Sequence, residues 1–579
     1  MPGRESIKVL WGPFRALLRR IPENRVLLGL SVVTGILCGL ASVALKTAIH
    51  FIQGHLLVWH ANVPWAYLLL PGLGMLLSLL IVKYLVRDNI GHGVTKVLQA
   101  VSKNESRIKG HNCWSSLVTS ALTIGFGGSV GAEAPIVYTG AAIGSNLGRY
   151  CGMSYRNITL LLGCGAAGAL AGIFNAPLAG VLFTLEVLLF NISMSSILPL
   201  LISTVSATVV SYLCLGQTTQ FTCTLADFSM GNLPFYLVLG VFCGFCSLYF
   251  MKMTLWLEDG LGRLRNPYVR WILCAAVLGA LVFLFPPLYG EGYDALHPML
   301  NGTAEASWKM VGFFAVVLLL KVFSMTFTNA GGGVGGTFGP TLFVGAIAGF
   351  IMATLANLLT PAHVPVSNFV LVGMAGLMAG VMQAPMTAIF LIAEISGGYQ
   401  LFLPLIVTAG ISYGVMRIFE KYSIYTKRIA KSGELLTHDS DQAVLTLLKT
   451  SDLVETDFTP VRIDATLREL VDAVAASQRN VFPVLDGKKR FQGFIALSDI
   501  RRDMFRTDIY DTAHVYNYMQ SAPAYVYPDE GMESVMRKFE RTGAWNLPVV
   551  TSDRIYLGFV SKSRIFNAYR HELQKVSQD

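Results

Sequence analysis

Long apolar segments dominate the first three quarters of the chain and are missing from the last quarter. Six of these segments run for about 19–25 residues without a charged side chain. A helix of about 20 apolar residues is long enough to cross the hydrocarbon core of a bilayer. The pattern therefore predicts membrane-spanning helices over Val26–Leu45, Val63–Val82, Leu233–Met251, Trp271–Tyr289, Phe338–Leu359 and Phe369–Ala393.

Charge and glycine divide the chain into two parts. Of 35 acidic residues, twelve lie between Val26 and Glu420 and twenty-one lie beyond Glu420, whereas only six of 56 glycines lie beyond Ala430. Hydrophobic residues make up 53% of the chain and charged residues 14%, against about 25% charged in an average soluble domain. We therefore do not expect a soluble enzyme, and we exclude a disordered chain. We expect a membrane domain over residues 1–430, a linker over 431–450 and a soluble part beyond it.

The stretch before the first apolar segment is basic. Residues 1–25 hold six Lys or Arg and two Glu, so the positive-inside rule predicts a cytoplasmic N-terminus. We find no convincing signal-peptide cleavage site after the apolar run that begins at Val26. The net charge of +9 favours anionic lipid headgroups over nucleic acid as its partner. The short N-terminal stretch and compact form favour a bacterial inner membrane.

An internal repeat organises the apolar part. Ala166–Glu186 matches Met374–Glu394 at an offset of 208 residues, and Gly127–Pro135 matches Gly332–Pro340 at an offset of 205. Transporters built from such repeats bind their substrate between the two halves, where Gly- and Pro-interrupted helices meet.

The two Gly-rich segments predict an anion site. Each has a Pro just inside the start of an apolar helix, a position that tolerates the missing N–H, and its glycines let backbone approach a ligand closely. A helix N-terminus carries free N–H groups and about half a positive charge. Two such N-termini directed at one point would bind an anion without a lysine; the alternative is a pair of kinked packing helices.

Four ionisable residues lie inside apolar sequence, where ionisable groups are costly and usually functional. Glu133 lies in the first Gly-rich segment, where its carboxylate can occupy the place of an anion until it is protonated. Glu186 and Glu394 are equivalent in the repeat and end their helices, which favours hydrogen bonding to backbone. Lys321 either sets a positive potential or snorkels toward the interface.

These motifs resemble those of the CLC chloride channel and transporter family. GHGVT at Gly91–Thr95, GAEAP at Gly131–Pro135, GTFGP at Gly336–Pro340 and SIY at Ser423–Tyr425 match four family motifs in order. The resemblance implies an all-α polytopic membrane protein with an inverted repeat of tilted and broken helices. It also implies a homodimer with one anion pore per subunit, carrying chloride or a similar anion.

The resemblance also assigns roles to residues. Glu133 would be the gating glutamate. The anion would be bound by His92, Gly131, Ala132, Thr337, Phe338 and Tyr425. We expect no enzyme activity, no cofactor and no metal, since the CxxC at Cys243 and Cys246 lies in an apolar run and is better explained by helix packing.

The chain departs from the family pattern at several of these positions. His92 replaces a serine, Thr95 a proline, Ala132 an arginine and Ala134 a glycine. Family exchangers relay protons through a glutamate at the position of Val187, and many family channels have valine there. Val187 therefore favours a voltage-gated-type chloride channel, with a coupled chloride/proton antiporter as the alternative. His92 either donates to the anion or is turned away from the pore.

The C-terminal part contains a second repeat. Val481–Asp486 followed by Phe491–Ile500, and Asn546–Val550 followed by Tyr556–Phe566, both predict strand, turn, strand and helix. The two copies resemble a pair of CBS modules, which we place at 451–510 and 511–579, in the cytoplasm. Such pairs sometimes bind adenine nucleotides through G-x-x-T/S-x-x-D, but each copy here lacks one element. Asp499 could hold a ribose or could cap the helix that follows it.

Overall fold

The computed structural model describes residues 21–60, 65–103, 106–188, 194–216, 223–304, 306–431 and 448–568. The chain forms two compact units, Met1–Leu435 and Leu436–Asp579. Most of the basic N-terminal stretch and nearly all of the predicted linker lie outside the described residues.

Helices connected by loops make up the first unit, which has no β-strand among its described residues. Its helices, in chain order, are α1 (Glu23–His60), α2 (Ala66–Leu80), α3 (Gly93–Lys103), α4 (Ser115–Gly125), α5 (Glu133–Cys151), α6 (Tyr155–Phe174), α7 (Pro177–Glu186), α8 (Met194–Leu215), α9 (Leu233–Gly262), α10 (Pro267–Leu284), α11 (His297–Leu300), α12 (Trp308–Ala330), α13 (Phe338–Leu359), α14 (Val366–Met382), α15 (Pro385–Ile395), α16 (Phe402–Phe419) and α17 (Ile424–Lys431). Within the described residues, nine helices are long and apolar enough to cross a bilayer, and α4, α7, α14 and α15 are shorter apolar helices.

Two of the predicted spans are wrong in their bounds. The apolar run Phe369–Ala393 is two helices, because α14 ends before Gln383, which has a φ of 54°, and α15 begins with Pro385 at its first position. The predicted span Trp271–Tyr289 ends early as α10, at Leu284, since two prolines follow after Phe285 and have no N–H to donate. A hydropathy pattern does not reveal either break in the helices, because the residues on both sides of each break are apolar.

Equivalent residues of the repeat meet each other in space. Gly131 and Gly336, which are related by the offset of 205, exchange two backbone hydrogen bonds, with N···O distances of 3.1 and 2.7 Å. The contact between α5 and α6 is repeated by α13 and α14: a Cβ on Gly140 would overlap the carbonyl of Gly165, and one on Gly345 would overlap the carbonyl of Gly373. Gly131 pairs with the residue that is equivalent to it in the second half of the repeat, as expected for residues beside a pseudo-two-fold axis that relates the two halves. The sequence repeat is therefore also a structural repeat.

The CxxC cysteines serve helix packing. Cys243 and Cys246 are both buried on α9, and a Cβ added to Gly376 on α14 would lie 3.0 Å from the Cys243 sulfur. Small residues at such positions let membrane helices approach closely.

The second unit has two small sheets with the predicted order of elements. The first sheet contains β1 (Val461–Arg462), β2 (Val481–Leu485) and β3 (Phe491–Ala496), and the second contains β4 (Asn546–Val550) and β5 (Tyr556–Ser561). The helices are α18 (Leu467–Ala476), α19 (Leu497–Ile500) and α20 (Met532–Thr542). Both hairpins are antiparallel and shift register one residue from the end, so the two copies match in detail as well as in order.

Candidate anion-binding site

The carboxylate of Glu133 lies between the N-termini of α5 and α13. The side chain is 2% exposed. Its Oε2 accepts a hydrogen bond from the N–H of Gly339 at 3.2 Å, and its Oε1 accepts one from the hydroxyl of Tyr293 at 3.0 Å. Free N–H groups and the helix dipoles make this a place that favours negative charge.

Two glycines make room for that carboxylate. A Cβ on Gly131 would overlap the carboxylate of Glu133, and a Cβ on Gly339 would lie 3.2 Å from its Oε1 and 3.1 Å from the Tyr293 hydroxyl. The Gly-rich segments are therefore needed where backbone from both halves of the repeat approaches one acidic group. Two helices that are merely kinked would have no such requirement.

Tyr425 and Thr337 lie close to Glu133. The hydroxyl of Tyr425 on α17 lies near that of Thr337, which precedes α13, and near the charges of Glu133 and Arg428. Both side chains are 2% exposed. Among the described residues, neither hydroxyl makes a hydrogen bond of normal geometry. Buried hydroxyls usually have a partner, so these two groups suit an anion.

Some of the backbone N–H groups that were predicted to bind the anion already donate to protein acceptors, and others do not. The N–H of Gly131 donates to the carbonyl of Gly336 at 3.1 Å, and the N–H of Ala132 donates to Oε1 of Glu291 at 3.0 Å. Both predicted donors thus have protein acceptors. Thr337 and Phe338 lie at the start of α13, where N–H groups have no intrahelical carbonyl.

Lys321 does not snorkel, which corrects one of the two sequence-based alternatives. The side chain is fully buried. Its Nζ donates to Oγ of Ser129 at 2.9 Å and to the carbonyls of Gly290 and Glu291, each at 3.1 Å. The ammonium group therefore ties the segment before α5 to the loop that contains Glu291 and Tyr293.

Glu291 and Tyr293 belong to this site but were not predicted from the sequence, where they look like ordinary loop residues. Both are only partly exposed and contact the first turn of α5. The available signal was an acid between two glycines, Gly290 and Gly292, directly after an apolar helix. Both glycines have positive φ, 57° and 90°, and they turn this loop back into the protein.

His92 lies in a cavity of about 250 Å³, with Arg428 and Glu258 in its wall. Its Nε2 is 3.9 Å from Oε1 of Glu258, and Arg428 donates two hydrogen bonds to the same carboxylate at 3.2 and 2.6 Å. The positive charge of Arg428, together with burial, lowers the pKa of His92 below its usual value. The neighbouring Gly93 packs against the backbone of Ala134, so this loop contacts the first turn of α5.

Glu186 and Glu394 cap each other's helices. Glu186, at the end of α7, accepts from the N–H groups of Met386 and Thr387 at 3.0 and 2.7 Å and from the Thr387 hydroxyl at 2.7 Å. Glu394, on α15, accepts from the N–H groups of Leu178 and Ala179 at 3.0 and 2.9 Å. The predicted hydrogen bonding to backbone is confirmed. Val187, which follows Glu186, is buried and brings no ionisable group.

The nucleotide-pattern residues of the second unit are engaged within the protein. Asp499 accepts from the N–H of Ala496 at 2.9 Å, at the start of α19. Ser561 accepts from the N–H of Arg564 at 3.1 Å, and a Cβ on Gly558 would lie 2.5 Å from the carbonyl of Glu455. These contacts favour capping and packing roles. In the described part of the chain, no group of three His, Cys, Asp or Glu residues is arranged to hold a metal ion.

Two protein-family models match the chain. The one described as voltage gated chloride channel matches residues 73–417, and the one described as CBS domain matches residues 451–506 and 515–571. The first match covers more than half of the chain and includes Glu133 and both Gly-rich segments.

Individual proteins and a solved structure agree with this assignment. The chain is 30% identical over 377 residues to a putative chloride channel protein ClcB-like of Ralstonia nicotianae, covering 64% of this chain and 87% of that one. It is 30% identical over 414 residues to the H(+)/Cl(-) exchange transporter ClcA of Cronobacter sakazakii, covering 68% and 87%. The crystal structure of a slow cyanobacterial Cl-/H+ antiporter is similar with a TM-score of 0.63 and 25% identity, over 71% of this chain and 98% of that one. The chain is therefore a multi-pass integral membrane protein of the voltage-gated chloride channel (CLC) family, with two CBS domains at its C-terminal end.

Proposed function

We propose that the protein carries chloride across the membrane through the site between α5 and α13, with Glu133 as its gate. The observation that carries the proposal is the Glu133 carboxylate itself, held by the N–H of Gly339 and the hydroxyl of Tyr293. A bound carboxylate satisfies the same donors that a chloride ion would use. Protonation neutralises the carboxylate and weakens its attraction to these donors. The position then becomes available to chloride.

Further groups would bind the anion once the gate has moved. These are the hydroxyls of Tyr425 and Thr337 and the backbone at Thr337 and Phe338, which lie close to Glu133. His92 lines the cavity that also contains Arg428, and it presents an imidazole that its low pKa keeps neutral at pH 7. Neutral donors and helix N-termini bind an anion without trapping it, as conduction requires.

Val187 favours passive conduction as the mode of transport. A coupled exchanger must move protons to Glu133 from the opposite side, and a buried valine supplies no proton carrier. Glu186 beside it already accepts three hydrogen bonds at the start of α15. The second candidate is chloride/proton exchange, which is favoured by the likeness to the exchange transporter of Cronobacter sakazakii and to the cyanobacterial antiporter.

A chloride gradient across liposomes separates these two functions. We expect the reconstituted protein to move chloride down its gradient without uphill movement of protons, read from an external pH electrode in lightly buffered medium. The Val187→Glu variant is the matched comparison, because it restores an acid at the exchanger position. Steady uphill proton movement by the wild type would establish exchange instead, and no chloride flux at all would refute both candidates.

Substitution of His92 tests whether this residue lies on the proposed anion path. We expect His92→Ser to change the chloride-to-nitrate flux ratio about two- to five-fold, since replacing one anion donor by another is worth about 0.5–1 kcal/mol. We also expect the flux profile between pH 5.5 and 7.5 to keep its shape, because Arg428 and burial lower the pKa of His92 and keep the ring neutral across that window. His363→Ser, at an exposed position, is the control. An unchanged flux ratio would remove His92 from the path.

We propose a homodimer with one pore per subunit, inserted in a bacterial inner membrane with the N-terminus and the CBS pair in the cytoplasm. For the CBS pair we propose a structural role in the dimer rather than adenine nucleotide binding. The contacts of Asp499, Gly558 and Ser561 within the unit support that choice.

A further inference from the structure

A second carboxylate, that of Glu291, lies beside the gating glutamate. Its Oε1 accepts a hydrogen bond at 3.0 Å from the N–H of Ala132, the residue immediately before Glu133. Its loop neighbour Tyr293 donates to Oε1 of Glu133 at 3.0 Å. One short loop therefore contacts the backbone at the start of α5 and the gate itself.

The loop is held in this position rigidly. Lys321 donates to the carbonyls of Gly290 and Glu291 and also to Ser129, which lies on the Gly-rich segment leading into α5. Ser129 in turn accepts from Ser324 at 3.1 Å. Because buried polar networks that are fully satisfied favour one arrangement, the carboxylate of Glu291 is fixed near Glu133.

The charges that face Glu291 come from three helices. They are the carboxylate of Glu133 on α5, the ammonium of Lys46 on α1 and the ammonium of Lys321 on α12. Lys46 also faces Glu133. Two acids and two lysines balance when all four are ionised. When Glu291 is ionised, an anion that takes the place of Glu133 meets its negative charge.

We propose that Glu291 is a second gating carboxylate, which competes with the transported anion at the N-terminus of α5 and sets the pH at which Glu133 releases the site. The inference rests on the proposed function. A negative charge close to a carboxyl group disfavours ionisation of that group. Glu291 therefore promotes protonation of Glu133, and it also repels an anion already bound between α5 and α13.

Glu291→Gln tests both effects, because the amide keeps an oxygen that can accept from Ala132 and removes the charge. In liposomes, we expect the midpoint of chloride flux against pH to move toward acid by about one pH unit. Asp294→Asn is the matched control, since Asp294 is an exposed acid in the same loop, and it should leave the midpoint in place. Should Glu291→Gln not fold, Glu291→Asn removes the same charge and is expected to produce the same shift.

Chloride binding provides a second readout that does not depend on movement of the gate. In detergent at pH 7.5, we expect the double variant Glu133→Gln/Glu291→Gln to bind chloride several-fold more tightly than the single variant Glu133→Gln, by calorimetry. A wild type that carries chloride, with a midpoint unmoved in Glu291→Gln and equal chloride affinity in the single and double variants, would overturn the role of Glu291 while leaving that of Glu133 intact. A wild type without chloride flux would instead refute the proposed function.

Discussion

Glu133→Gln is expected to carry chloride at the same rate at pH 4.5 and pH 7.5, to within about two-fold. In the wild type, an ionised Glu133 occupies the donors at Gly339 and Tyr293, and flux should rise about ten-fold or more as the carboxyl group takes up a proton. An ordinary glutamate has a pKa of about 4.3, so flux must increase toward acid. Glutamine has the shape of the protonated side chain and cannot ionise, so the site stays available at every pH.

Two further variants show whether the loss of pH dependence is specific to position 133. Glu133→Ala should behave in the same way, because it also removes the competing charge. Asp227→Asn, which neutralises an exposed acid of the same unit, should keep the full pH dependence of the wild type. The measurement is chloride efflux from liposomes at matched protein density. If Glu133→Gln followed the wild-type pH profile, Glu133 would not be the gate.

The position of the Glu133 carboxylate could be predicted from the sequence because close contact with backbone allows few residue types. Gly131 and Gly339 have no side chain where the Glu133 carboxylate lies, so an acid that follows a Gly-rich run at the start of an apolar helix was a strong signal. The repeat strengthened it, since the equivalent segment had to meet the first one. The direct pairing of Gly131 with Gly336 is the structural counterpart of that match.

The residues of the candidate site that could not be predicted lie on loops that fold back into the protein. In the sequence, Glu291 looks like an ordinary acidic residue of a loop. Its contact with Ala132 is visible only in the folded structure. The same contact, and the pairing of Gly131 with Gly336, give two of the predicted backbone donors protein acceptors that the sequence does not indicate. The break at Gln383 was missed for a different reason, because residues on both sides of it are as apolar as a continuous helix would require.

Removing either reciprocal cap is expected to destabilise the membrane unit. The carboxylates of Glu186 and Glu394 accept hydrogen bonds from N–H groups at the starts of α15 and α7 respectively. A hydrogen bond to a charged group is worth about 1.5–3 kcal/mol, and the helix dipole adds to it. We expect Glu186→Gln and Glu394→Gln each to cost about 1–3 kcal/mol, and to lower the thermal midpoint in detergent by on the order of 5 °C.

The double variant and a matched exposed cap distinguish this role from a role in gating. Both caps hold the same contact between α7 and α15, so losing one loosens the other, and Glu186→Gln/Glu394→Gln should cost less than the sum of the single changes. Glu23→Gln is the control, because Glu23 accepts from the N–H of Ser154 at 3.0 Å in an exposed setting, where a charged cap is worth little. Each single variant that folds should keep the wild-type midpoint of flux against pH, since neither carboxylate contacts the donors that hold Glu133. A midpoint moved by either change, with thermal stability unaltered, would make these residues part of the transport path rather than supports for the helices around it.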